Sequence, residues 1–361
     1  MPSLCAEPAK PAVGARAVIL KDGLSGKLRA MKLNRRHFAA AAAAAASAIA
    51  LPSFAQTRTI RLLVGFPPGG GTDAVARLLA EHLKDPLNAN VIVDNRAGAG
   101  GQIAAQTLKA SPADGSTLFL SHDHTISILP QVTKNAGFEP AADFMPVAGF
   151  ATFVNAFALS GGTPAKTFPD YLKWIQDGGD KAGGNAKPGR GTVGVPAPAS
   201  TPEFLVKLIG EKYKLDLVPA PYRGSAPMMQ DMLGNQIAAG TGSVPDFIEN
   251  HRAGKLRIVG VLGKDRQSLL PDVPTFHEMG LIGFEDVPYY GIFGPKGVPS
   301  AFVAEFDNAM AKVLALPLVR ERMLAMGLAP EFMTAQKLGE REHAYTQAWT
   351  QIIKAKGFGA N

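Results

Sequence analysis

Cysteine is almost missing from this chain. Its single copy, Cys5, leaves the residues beyond it without a disulfide, a thiolate metal site or a cysteine nucleophile. No apolar stretch precedes Cys5, so it is no lipoprotein anchor. Long hydrophobic runs are lacking too: the longest, from Phe38 to Leu51, is about 14 residues against the roughly 20 that span a bilayer. A surplus of positive charge is present only in name. The formal charge is +7, but residues 1–55 hold eight Lys/Arg (10, 16, 21, 27, 29, 32, 35 and 36) against Glu7 and Asp22, leaving 29 basic and 28 acidic residues beyond them. A nearly neutral body argues against a groove that neutralises several phosphates, so nucleic acid is not an expected partner. Catalytic signatures are missing as well. There is no G-x-x-x-x-G-K-[ST] loop, no G-x-S-x-G elbow around Ser225 or Ser243, and no second histidine after His277-Glu278. Gly98-Ala99-Gly100-Gly101 lacks the third glycine of a dinucleotide fingerprint, so no cofactor is expected.

What is there is a globular composition, 46% hydrophobic and 19% charged over 361 residues, long enough for two lobes. Residues 31–55 read as an export signal: Lys32, Arg35 and Arg36 form a charged head, an alanine-rich apolar run follows, and Ser53-Phe54-Ala55 makes an A-x-A-like end. The pair Arg35-Arg36 has the look of a twin-arginine signal, with a Sec signal as the other reading. Residues 1–30 read as an extension ahead of the true start at Met31. The expected mature chain begins at Gln56 and is exported.

Along that chain, Thr59-Ile60-Arg61-Leu62-Leu63-Val64, Val91-Ile92-Val93 and Thr117-Leu118-Phe119-Leu120-Ser121 read as strands separated by helices. The first helix has an apolar face of Val75, Leu78, Leu79 and Leu83, with Thr72 or Asp73 as its cap. This is the β-α-β-α-β order of a parallel sheet. Residues 147–160 read as one long strand leaving the first lobe, and the glycine-rich stretch 178–185 as a surface loop. A second series runs through 192–195, a helix from Pro202, 217–218, a helix around 227–233, and 256–262. The C-terminal part reads as helical, with Phe302, Phe306, Met310 and Val313 on one face and Tyr345, Trp349 and Ile352 on another. The expected fold is therefore α/β: two lobes, each a mostly parallel sheet flanked by helices, with a ligand cleft between them.

Three strands end in small-residue loops that open helices: Pro67-Pro68-Gly69-Gly70-Gly71-Thr72-Asp73, Gly98-Ala99-Gly100-Gly101, and Ala197-Pro198-Ala199-Ser200-Thr201-Pro202-Glu203. Helix N-termini offer free N–H groups to carboxylates or phosphates, although any such loop can merely make a tight connection. Ser121-His122-Asp123-His124 is the most unusual local feature. It reads as a polar cleft lining or a solvated loop, and metal ligation lacks a third ligand at recognisable spacing. Tyr222-Arg223-Gly224 places a cation beside another helix start, suited to a carboxylate or to a surface acid.

The order and spacing of Gly65-Phe66-Pro67-Pro68-Gly69-Gly70-Gly71-Thr72-Asp73, Asp94-Asn95-Arg96-Ala97-Gly98-Ala99-Gly100-Gly101, Ala113-Asp114-Gly115, Tyr222-Arg223-Gly224-Ser225-Ala226-Pro227, Ala253-Gly254-Lys255-Leu256-Arg257 and Leu270-Pro271-Asp272-Val273-Pro274-Thr275 are similar to those of the Bug family. These are the extracytoplasmic solute receptors of tripartite tricarboxylate transporters. The resemblance implies a two-lobed periplasmic binding protein that closes on a small carboxylate and delivers it to a membrane permease. It puts lobe one at 56–155 plus 285–361 and lobe two at 156–284. It implies one ligand carboxylate at Gly69, Gly70, Gly71 and Thr72. The other end would meet Ser121, His122 and Asp123, Ala197, Ser200 and Thr201, Tyr222, Arg223 and Gly224, and Thr241 and Ser243.

Two departures from the family pattern sharpen the expectation. His122-Asp123-His124 stands where small residues are common, and Gly242-Ser243 where many members carry Asp-Asn. Without that carboxylate this end of the cleft is expected to be less acidic and titratable through its histidines, suiting a dicarboxylate or an aromatic acid. The alternative is an exported enzyme acting on small acids with His122, Asp123 or His124 as its base.

Overall fold

The glycine-rich stretch that follows Val64 stops the first strand and lets the chain turn into a helix, and this step from strand end to helix start recurs through both halves. The computed structural model describes residues 58–177, 190–283 and 285–358. The expected extension at 1–30, the export signal at 31–55 and the loop at 178–185 lie outside the described residues. The first half opens with β1 (Arg58–Val64), α1 (Gly71–Leu87), β2 (Ala89–Asn95), α2 (Gln102–Lys109) and β3 (Thr117–His122). Val75, Leu78, Leu79 and Leu83 are all buried on α1, as their spacing requires. The cap differs from expectation. Gly70 is the N-cap and Asp73 lies one turn in, where its Oδ2 accepts the Gly69 amide at 3.0 Å.

The segment 147–160 is two strands rather than one: β4 (Phe144–Thr152) and β5 (Asn155–Ser160) are broken at Phe153-Val154 and belong to different sheets. The second half continues with α3 (Phe168–Gln176), β6 (Thr192–Val195), α4 (Thr201–Tyr213), β7 (Val218–Pro221), α5 (Ser225–Leu233), β8 (Ala239–Ser243), α6 (Val244–Arg252) and β9 (Leu256–Val261). The chain then returns as β10 (Tyr289–Pro295), α7 (Ser300–Ala315), α8 (Pro317–Ala325), β11 (Ala329–Thr334) and α9 (Ala335–Lys356). The C-terminal part is thus not wholly helical; β11 interrupts it and pairs with β4.

The strand order is β11-β4-β10-β3-β1-β2 in one sheet and β7-β6-β8-β5-β9 in the other. Both are built alike. Three parallel strands (β2-β1-β3 and β7-β6-β8) are followed by one antiparallel strand, and that strand is the one arriving from the other half: β10 in the first sheet, β5 in the second. A further strand, β4 or β9, then pairs antiparallel to the newcomer and so runs with the first three. The C-terminal ends of β1 and β3 face those of β6 and β8. That is where open α/β sheets leave room for a ligand.

One hydrophobic cluster runs from Leu63 and Phe119 of the first half to Phe157 and Leu205 of the second. Helix α9 helps to join them. Its Trp349 ring lies 5.7 Å from that of Phe204 on α4, and Phe358 stacks on the same ring at 4.1 Å. No described helix is long and apolar enough to cross a membrane.

Candidate functional site

Strand β3 ends at His122, and the next residues wind into a single π turn, His124–Ile128. Strand alternation therefore stops where it would have turned Asp123 away, and His122, Asp123 and His124 all line one cavity. Each has its own surroundings. The His122 ring stacks on Phe66 at 5.2 Å and meets Phe153 and Tyr290 edge-on. Its Nδ1 lies 3.2 Å from Oδ1 of Asp123, whose Oδ2 accepts the Tyr345 hydroxyl at 3.0 Å. Asp123 is thus held from two sides and fixes the His122 ring. His124 is 4% exposed, and neither ring nitrogen has a hydrogen-bond partner. Burial, then the neighbouring His122 ring, push its imidazole down to about 4, with Asp123 pulling the other way. His124 is uncharged at neutral pH.

The cavity encloses about 540 Å³ of empty space, part of it open to solvent. Of the residues expected at a ligand site, Gly70, Thr72, His122, Asp123, Ala197, Ser200, Thr201 and Ser243 line it. Thr72 Oγ1 lies 3.1 Å from the Tyr290 hydroxyl. Ser200 caps α4, accepting the Glu203 amide at 3.4 Å and donating to the Ala197 carbonyl at 2.7 Å. Thr201, the first residue of α4, is 4% exposed and its hydroxyl has no partner.

The other expected residues lie elsewhere. Gly69 and Gly71 border an outer groove, and their amides are taken, Gly69 by Asp73 and Gly71 by Asp246 at 3.0 Å. Ser121 and Thr241 are buried in their strands away from the cavity wall. Tyr222 donates to Asp231 at 2.6 Å, which holds it on its own half. Arg223 is exposed and lines no part of the cavity. Gly224 serves packing: at φ +105° a side chain is disfavoured, and a Cβ would stand 2.5 Å from Pro67 Cδ. The loop Gly98–Gly101 also serves packing, since Cβ atoms at Gly100 and Gly101 would meet His124 and Thr125 at 2.5 Å.

Several lining residues escaped the sequence reading. Phe66, Phe153 and Tyr290 form an aromatic wall, Pro196 and Pro202 another apolar face, and Asn155, Ser225 and Asp246 add polar atoms. Asp246 had a signal. Ser243-Val244-Pro245-Asp246 is a capping box opening α6, with Asp246 Oδ2 accepting the Ser243 amide at 3.1 Å and its hydroxyl at 2.6 Å. It corrects the expectation of a cleft poor in acid: the carboxylate missing at position 242 is supplied from residue 246. A Cβ on Gly242 would lie 3.2 Å from Asp246 Oδ2. Among the described residues, no lysine or arginine lines the cavity, and no group of His, Cys, Asp and Glu is able to hold a metal.

Residues 75–358 match the family model of the tripartite tricarboxylate transporter family receptor. The chain belongs to that family. BugT of Bordetella pertussis is 31% identical over 319 residues, covering 86% of this chain and 94% of its own. Among solved structures, periplasmic binding protein BugD superposes with a TM-score of 0.76 at 26% identity, over 84% of this chain and 99% of that one. An R. palustris protein solved with adipate gives 0.77 at 26%, over 85% and 100%. The family and the fold are those of substrate-binding proteins, two-sheet α/β receptors of the Bug type.

Proposed function

We propose that this chain is an exported receptor that captures a small carboxylate in the cavity between its two halves and hands it to the membrane permease of a tripartite tricarboxylate-type transporter. The observation that carries the reading is the placement of the cavity. It lies where the C-terminal ends of β1 and β3 meet those of β6 and β8, and it combines aromatic walls with a few convergent polar groups. Residues 56–155 plus 285–361 and residues 156–284 are the two bodies that hinge, at the crossings after β4 and β9. The protein acts as a monomer in the periplasm once the leader is cut near Ala55. The adipate found with a relative of similar fold supports a carboxylate as cargo.

The His122–Asp123 contact at 3.2 Å is the one observation that favours an enzyme instead, since it resembles a base held by an acid. A thermal-shift screen of small carboxylic acids decides between them. A receptor gains melting temperature and returns its ligand unchanged, whereas an enzyme consumes it. No gain with any acid would overturn the receptor reading. Export is tested by replacing Arg35 and Arg36 with lysine, which leaves precursor in the cytoplasm if the twin-arginine route is used.

A further inference from the structure

We propose that the cavity accepts a solute with one carboxylate, an apolar body and a hydrogen-bond donor at its far end, and that Asp246 excludes a second carboxylate. This rests on the receptor reading above and narrows its cargo.

The first argument is the sign of the wall. Asp123 and Asp246 both line the cavity, and among the described residues no lysine or arginine does. His124 carries no charge at neutral pH. Asp123 is already shared between His122 and Tyr345. A ligand with two carboxylates would bring two more negative charges to a wall with no fixed cation, and like charges this near repel strongly where water is excluded.

The second argument is that one anion place is already filled. The start of α1 is the natural seat for a carboxylate, but Asp246 Oδ1 occupies the Gly71 amide there at 3.0 Å. Asp246, Gly70 and Ser225 border both the inner cavity and the outer groove, so they form the partition between them. A carboxylate placed at this end would have to displace the protein's own.

The opposite end offers one donor that the protein leaves unused. Helix α4 has 13 residues, and its first residue, Thr201, lines the cavity and carries a buried hydroxyl with no partner. Ser200 takes the Glu203 amide and Glu203 takes the Ala199 amide at this helix start, so the Thr201 hydroxyl is the group that remains for a carboxylate. Between the two ends stand Phe66, Phe153, Tyr290 and Pro202, a lining for an apolar or flat body. At the Asp246 end, Oδ2 already takes two donors from Ser243 and Oδ1 one from Gly71. A carboxylate has about four acceptor positions, so one remains for a ligand hydroxyl or N–H.

The test is calorimetry on the purified protein with benzoate, 4-hydroxybenzoate and terephthalate, which share a ring and differ only at its far end. The expected order is 4-hydroxybenzoate tightest, then benzoate, with terephthalate at least tenfold weaker than 4-hydroxybenzoate. In Asp246→Asn the gap between 4-hydroxybenzoate and terephthalate closes to within about threefold. Terephthalate binding as tightly as 4-hydroxybenzoate in the wild type overturns the inference and leaves the receptor reading intact, as does binding of adipate with none of the three. An unchanged gap in a folded Asp246→Asn removes the role given to Asp246. Should that variant not fold, the wild-type order alone decides the ligand class. No binding of any carboxylic acid overturns the receptor reading and this inference together.

Discussion

Asp246 of the second half accepts the amide of Gly71 in the first, across a 3.0 Å gap at the partition between the cavity and the outer groove. The same carboxylate closes the capping box of α6 through Ser243. One side chain therefore shapes its own helix start and bolts it to the start of another.

A hydrogen bond to a charged group contributes roughly 1.5–3 kcal/mol, enough to bias a two-lobed molecule toward its closed form. Asp246→Ala is expected to raise the radius of gyration of the ligand-free protein in small-angle scattering. An unchanged radius would mean that other contacts hold the halves together.

Gly71 has no room for a side chain. A Cβ would stand 2.9 Å from Pro245 Cβ and 3.1 Å from Asp246 Oδ1, both in the other half. Gly71→Ala should therefore push Pro245 and Asp246 away and bind its ligand at least tenfold more weakly. Wild-type affinity would show that the halves need not meet here.

Thr201→Val removes a buried hydroxyl that has no partner in the protein. Deleting an unsatisfied group costs little stability and can raise it. The melting temperature is expected to hold or rise, and affinity for a bound carboxylate to fall about tenfold, or about 1.4 kcal/mol. A large stability loss with intact affinity would make Thr201 a packing residue only.

His124 ties stability to pH. In the unfolded chain an imidazole takes its proton near pH 6.5, but in the fold burial holds His124 to about 4. Between those values the unfolded state binds one more proton, so stability drops as pH falls through that window, by about 3 kcal/mol in all. His124→Gln, which cannot titrate, should show a shallower loss in urea unfolding at pH 7 and pH 4.5. Parallel losses in the two proteins would place the acid sensitivity elsewhere.

Arg223 looks from the sequence like an anion clamp, but it is exposed and outside the cavity. Arg223→Ala should leave ligand affinity within about twofold. A tenfold loss would bring the cation back into the site.

The parts of the fold that were legible carry strong local patterns. Thr192–Val195 is β-branched at three of its four positions and forms a strand with those same bounds, and the four apolar positions of α1 are all buried. Strand β8 was not legible, because Ala239-Gly240-Thr241-Gly242-Ser243 has little strand propensity. Its glycines answer to tertiary packing, with a Cβ at Gly240 falling 2.6 Å from Met232 Sδ. The break between β4 and β5 was hidden for a related reason: only Thr152 and Asn155 flank it, and Phe153-Val154 between them is as apolar as the strands on either side. At the site, the loops at 69–72 and 197–201 were visible through their small residues and caps. The aromatic wall was not, because Phe66, Phe153 and Tyr290 lie far apart in the chain and meet only through sheet order.

The aromatic stack of α9 on α4 has an optical consequence. The chain holds two tryptophans, Trp174 and Trp349, and Trp349 is buried between Phe204 and Tyr345. Phe204 lies one helical turn from Thr201, and Tyr345 is bonded to Asp123. The indole thus packs against side chains adjacent to Thr201 and Asp123, two residues of the cavity lining. Its emission can follow occupancy without a dye, with Trp174→Phe removing the second signal.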